Sequence, residues 1–290
     1  TGNITLDAGN DLTVSSSVST GGSGTVYMVA VNEIMVTESV ITVSGDILVE
    51  AGTNLSQDAA ITSTSGDVGL IAGGTLVQTS TGDITTGGDV LVSAGTDWTM
   101  AGDAVITAIG NVVGEALGGD IGLGVIGSTN VALTASDSII DANGGSLNIT
   151  ADNLSLRATG GLIGDHDNAN GVAGQNANAL DIAVSTLAAS ADSGIYISEL
   201  DDLTVTSVAA LTVNLGSVLR PNFNSTTSSV ARTRGASSLE DLSTDTDGPI
   251  KVVSESGTLT IAGGSDGQGV SAAGSGDVLL EARGSGGNVV

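Results

Sequence analysis

The chain has no cysteine, only two prolines, four aromatic residues and six lysines and arginines among its 290 residues. Each shortage excludes something. Without cysteine there are no disulfides and no thiolate metal sites. Six basic residues against 32 acidic ones, a formal net charge of -26, leave no basic footprint for nucleic acid. The same balance argues against an anionic membrane surface. No apolar run reaches the roughly 18 residues a membrane-spanning helix needs, so no membrane insertion is expected. Tyr27, Trp98, Tyr196 and Phe223 are too few to fill a wide core, which normally draws its volume from aromatics.

What the chain does have is 44 glycines and an apolar fraction of 40%. That fraction is too high and too regular for a disordered acidic chain. The apolar residues sit in a repeat. It reads Gly2-Asn3-Ile4-Thr5-Leu6-Asp7-Ala8-Gly9, then Gly45-Asp46-Ile47-Leu48-Val49-Glu50-Ala51-Gly52, Gly66-Asp67-Val68-Gly69-Leu70-Ile71-Ala72-Gly73 and Gly88-Asp89-Val90-Leu91-Val92-Ser93-Ala94-Gly95. With a looser copy at Gly24, the starts are spaced 22, 21, 21 and 22 residues apart. A fixed period in this range means units that stack on one another without a single globular core.

Within a unit, Ile47, Val49 and Ala51 alternate with Leu48 and Glu50, the period of a strand with one buried face. A glycine follows, then a second short strand such as Leu12-Thr13-Val14 or Trp98-Thr99-Met100. A third apolar point comes at Val18, Ile61, Ile84 or Val105. Three short strands in one period predict an all-β fold, a parallel β-helix solenoid of 21–22 residues per coil. The general preference of parallel crossovers makes it right-handed. About thirteen coils fit, a rod of about 60 Å at the strand spacing.

Coils are expected over 1–213, with a polar loop at 165–178. An irregular insertion or hinge is expected at 214–248, where Pro221, Arg220, Arg232 and Arg234 lie. Coils resume over 249–290. The pattern is under way at Thr1 and has just restarted at Val290, so the chain reads as a segment of a longer protein.

These units, together with Leu154-Ser155-Leu156-Arg157-Ala158-Thr159-Gly160-Gly161-Leu162-Ile163-Gly164 and Ile195-Tyr196-Ile197-Ser198-Glu199, resemble the filamentous-haemagglutinin-like repeats of giant bacterial surface proteins. The resemblance covers most of the chain outside 214–248. It implies export, a β-helical shaft, and a role in adhesion or surface structure. It implies no shared functional residue.

Candidate chemistry is sparse. In-register stacking places Asp46, Asp67 and Asp89 at one corner, continued by Asn3 and Thr25. Carboxylates one strand spacing apart repel, by roughly 1 kcal/mol in water. A Ca²⁺ between them would offset that cost. The expected reading is that each Asp caps its own turn and stays hydrated. Asp165-His166-Asp167-Asn168-Ala169-Asn170-Gly171 departs from a calcium loop at Ala169 and at its late glycine. Ser243 to Gly248 is weaker still. His166, the only histidine, has no serine marked out as its partner. Threonine rows such as Thr62 with Thr64 do not persist far enough for an ice-binding face. The sequons at Asn3, Asn54, Asn148, Asn153 and Asn224 are consistent with exposed sites if the source glycosylates, and Asn-x-Ser/Thr is also common by chance in a Ser/Thr-rich chain.

The reading is therefore a structural rod of a secreted bacterial surface protein, not an enzyme, with no catalytic, cofactor or metal residue assigned. It is expected outside the cell or at its surface. Copies associate end to end or side by side, and host or neighbouring cell-surface glycans are possible partners. The alternatives are a carbohydrate- or protein-binding adhesin tip acting through 165–178 and 214–248, and a polysaccharide lyase or hydrolase.

Overall fold

The computed structural model describes residues 2–166, 178–222, 224 and 226–290. It is a parallel β-helix without helices among those residues, its sheet curling through about 332° around one axis. Each early coil contributes one strand to each of three faces. Face one carries Ile4–Ala8, Val26–Ala30, Ile47–Ala51, Val68–Ala72, Val90–Ala94, Asn111–Ala116 and Asn130–Ala135, stacked in parallel. It continues through the second halves of Ile149–Ala158 and Leu180–Ala191, then Leu242–Thr244 and Val270–Ser271. Face two begins Leu12–Val14, Ile34–Val36, Leu55–Gln57, and face three Val18–Ser19, Val40–Thr42, Ile61–Ser63. Face one thus stacks eleven strands among the described residues, where the period alone suggested about thirteen. Two long coils account for the difference. Leu154 to its partner Leu187 takes 33 residues and Ala189 to its partner Leu242 takes 53. At the usual strand spacing the rod is about 48 Å long.

The Gly-Asp start of each unit follows from how tightly the corners stack. A Cβ built on Gly45 would collide with the Gly24 carbonyl oxygen, and one on Gly66 would lie 2.5 Å from that of Gly45. After each face-one strand the same crowding recurs, with Gly73 against the Gly52 carbonyl and Gly95 against that of Gly73. The aspartates then tie coil to coil. Asp46 Oδ1 accepts the Asp67 N–H at 2.9 Å, Asp67 Oδ1 the Asp89 N–H at 2.8 Å, and Asp89 Oδ1 the Asn111 N–H at 2.7 Å. The expected turn cap is thus made across coils, to the equivalent residue of the next unit. The corner before face two repeats the device, Asp97 Oδ1 taking the Asp120 N–H and Asp120 Oδ1 the Ser138 N–H.

The last units change phase. Val278–Ala282, which follows Gly276-Asp277, stacks on Ile250–Ser254 and through it on Gly194–Glu199, so it belongs to face two. The sequence motif is a strand start with a corner before it, and either face can use it.

The interior is one column of Val, Ile, Leu and Ala, with Met28 and Met100, from Val14 to Leu259. Its single aromatic side chain, Trp98, is fully buried and fills the space left by Gly114, where a Cβ would run into the indole. The indole N–H donates to Gln78 Oε1 at 2.9 Å, and Gln78 Nε2 donates to Gln57 Oε1 at 3.0 Å. Gln57 Nε2 in turn reaches the Asp83 carbonyl at 3.0 Å. A ladder of this kind keeps buried amides satisfied inside an apolar column.

Residues 214–248, read from the sequence as an irregular insertion or hinge, contain most of a β-hairpin. Leu211–Pro221 runs out and Thr227–Ala236 returns antiparallel to it, with Val208 and Leu239 bridged at the neck. The coils on either side are joined directly, Gly194–Glu199 pairing with Ile250–Ser254.

Candidate functional site

The hairpin lies along the outside of face one as a strap. Outward positions on face three are mostly polar, among them Thr62, Thr85 and Thr107, while face two mixes Thr13, Ser56 and Thr99 with Met35, Val77 and Ile140. On face one the outward row beneath the strap is apolar: Tyr27, Leu48, Leu91, Val113 and Ala132. Val213, Leu215 and Val218 of the strap, all fully buried, pack on them and form a second core outside the rod. Gly69 interrupts that row so that Leu215 can seat, since a Cβ there would meet Leu215 Cδ1 and lie 3.1 Å from Leu48 Cδ1.

Three arginines latch the strap. Arg232 grips Glu50 with two hydrogen bonds, Nε to Oε1 at 2.5 Å and Nη2 to Oε2 at 3.0 Å. Arg234 Nε donates to Glu115 Oε1 at 2.7 Å, an oxygen also held by the Ser93 hydroxyl. Arg220 pairs with Asp7 at the far end. Tyr27 donates its hydroxyl to Glu50 Oε2 at 2.7 Å, and burial followed by that carboxylate pushes its pKa up. The strap is thus rooted beside Leu242–Thr244 and reaches the first described coil, along about 35 Å by the rise of an eleven-residue strand.

The fit at Gly69 makes a sharp test. Gly69→Ala is expected to destabilise by about 1–3 kcal/mol through overpacking. In a Leu215→Ala background the same change should cost far less, and urea unfolding of the four chains in the cycle measures the coupling.

The sequence-predicted acidic column is assembled as expected and is longer. Asn111, Asn130 and Asn153 continue it, each donating its amide to the side-chain oxygen of the residue before it at 2.7–3.1 Å. Among the described residues no group of three or more His, Cys, Asp or Glu is placed to hold a metal ion. Burial, then the neighbouring Asp46 and Asp89 carboxylates, raise the Asp67 pKa, while its bond to the Asp89 N–H lowers it. Asn keeps the accepting oxygen and loses the charge. The Asp46→Asn, Asp67→Asn, Asp89→Asn triple variant is therefore expected to be as stable at pH 7 as the parent or up to about 1 kcal/mol more so. Calcium or chelator should leave both melting temperatures unchanged.

His166 Nδ1 lies 2.8 Å from Asp165 Oδ1, and its ring is 5.7 Å from that of Tyr196. The remainder of the calcium-like motif, 167–171, falls outside the described residues. Asp247 Oδ1 accepts the Ser275 N–H and the Thr244 hydroxyl donates to the Gly248 carbonyl, so 243–248 serves local structure. The column Thr62–Thr85–Thr107 ends at Gly127. Asn148 is fully buried, with its amide on the Leu123 carbonyl and on Asp141 Oδ1, so that sequon is sealed inside the rod.

Two acids, Glu199 and Asp241, are buried where the sequence gives no sign of it. Glu199 is fully buried and accepts N–H bonds from Val184 at 3.1 Å, Leu200 at 3.0 Å and Asp201 at 3.3 Å. Burial pushes its pKa up to about 8 against the pull of those donors. Unfolded, it titrates near the ordinary value of 4.5. Between these values the folded chain holds a proton that the unfolded chain has released, so this group's contribution to stability falls as pH rises from 4.5 to 8. A loss of a few kcal/mol is expected from urea midpoints at the two ends of that range, with less than about 1 kcal/mol in Glu199→Gln.

A cleft of about 710 Å³ lies at the strap tip between Asn3–Asp7 and Arg220–Asn222. One of about 420 Å³ lies at the strap neck, walled by Asn130, Asn153 and Val208. Asp181 and Glu255 share a small one of about 170 Å³, below the roughly 300 Å³ at which ligand pockets begin.

Comparison of the chain with family models, with curated proteins and with solved structures returned no match. The class therefore rests on the fold itself, a parallel β-helix whose first face is closed by its own hairpin.

Proposed function

We propose that the chain is a shaft segment of a secreted bacterial surface protein, a stiff acidic rod that displays an adhesin or builds a filament. The observation that carries this reading is the unbroken in-register stack of face one, with side-chain oxygens of successive corners bonded to the next coil. Such a stack suits a mechanical role. Asp181 and Glu255, a pair of acids sharing a cleft, have too little space beside them for a sugar. A ligand-binding tip at 214–248 is less favoured, because the strap spends its apolar side and all three of its arginines on the rod.

The test is immunogold labelling of intact source cells with antibody raised against this segment. Label on surface filaments or stalks is expected. Label reached only after permeabilisation would sink the proposal.

A further inference from the structure

The strap differs from the rod in two ways that point to the same partner. The first is charge. No acidic residue lies between Asp202 and Glu240, although the chain as a whole carries a net charge of -26. This uncharged-to-basic stretch is where two copies of so acidic a chain meet with least repulsion. The arginines within it are already neutralised by Asp7, Glu50 and Glu115.

The second is its edges. The rod's strands stack along the axis, so their hydrogen-bonding edges point up and down the rod, never sideways. The strap is a two-stranded sheet lying along the rod, and its edges face sideways. The outgoing strand is guarded. It bulges between Leu215 and Val218, ends in Pro221, and its Leu219 N–H is held by the Thr25 hydroxyl at 3.0 Å. The returning strand, Thr227–Ala236, has none of these devices. It is ten residues long, unbulged, without proline or lysine, and no described strand pairs with its outer side. Arg232 and Arg234 Nη1 take only the carbonyls of Ala231 and Thr233. Natural proteins guard such an edge or use it.

We propose that this edge docks the same strand of a second copy. The two strands run antiparallel about a two-fold axis, so that two straps become one four-stranded sheet and two rods lie side by side. This names the contact for lateral association of the proposed shaft and rests on that reading for its purpose.

Sedimentation equilibrium of the full chain tests it. A reversible dimer is expected that tightens with added salt, as screening relieves the repulsion between the acidic rods. Ala231→Lys with Thr233→Lys, both at exposed positions, should weaken the dimer at least about tenfold. Unchanged ANS binding would show that the strap of that variant is still docked. Single cysteines placed at Ser229, Ala231 or Thr233 in this cysteine-free chain should cross-link strongly at the one position nearest the two-fold axis. A chain monomeric up to about 1 mM, the weak end of the affinity scale, overturns the proposal. So does a lysine variant that dimerises like the parent, or equal cross-linking at all three positions. Surface labelling judges the shaft separately: labelled cells with a monomeric chain remove only the edge contact, and a dimer without surface label removes only the shaft.

Discussion

Replacing Leu215 by Asp is expected to release the strap and cost about 3–5 kcal/mol of unfolding free energy. Leu215 is fully buried between the rod and the strap, seated over Gly69. A carboxylate there has no partner, and undocking is the cheapest way to hydrate it. Release uncovers Tyr27, Leu48, Leu91 and Val113, so ANS binding should rise and solubility fall. It should also change how the chain unfolds. Solenoid coils touch only their neighbours, and their stability is close to a sum of nearest-neighbour terms. The strap alone ties the region of Leu242–Thr244 to Asp7 and Thr25, through Arg220 and Leu219. Without it, the urea transition should broaden or split as the early coils fray independently.

Trp98→Ala is the second large effect, with an expected loss of about 3–5 kcal/mol. The indole occupies the volume that Gly114 leaves free, and removing it opens a cavity that rigid stacked coils cannot close. It also strips Gln78 Oε1 of its donor inside the column. Trp98→Phe separates the two costs. It keeps most of the volume and loses the N–H, so about 1–2 kcal/mol is expected. Urea midpoints followed by far-UV circular dichroism measure both, since the variants lack the only tryptophan.

The rod was legible because its physics is local and repeated. Alternation over Ile47–Ala51 and a glycine at each crowded corner state a stacked strand and its turn. The column Asp46–Asp67–Asp89 followed from register alone. The strap was not legible in the same way. Its contacts join residues far apart, such as Arg232 with Glu50 and Leu219 with Thr25, and no period links them. A signal was nevertheless present: Leu48, Leu91 and Val113 make face-one strands apolar on both sides, the mark of a strand covered twice. The phase change at Gly276 was hidden for another reason. Gly-Asp-Val marks a corner and a strand, and only the pairing of Val278–Ala282 with Ile250–Ser254 shows which face it serves. Glu199 ends an apolar strand where a solvent-facing acid was the natural expectation. Its burial depends on the Val184 N–H arriving from another coil.

The docked strap is tested most directly by limited trypsin digestion of the native chain, with cut sites read by mass. Of its six basic residues, Arg232 and Arg234 offer sites within the strap, while Arg220 precedes Pro221 and is a poor one. With both arginines held by Glu50 and Glu115, these bonds should stay intact in the parent and be cut quickly in Leu215→Asp. Rapid cutting after Arg232 and Arg234 in the parent, with the rod otherwise intact, would contradict the strapped face.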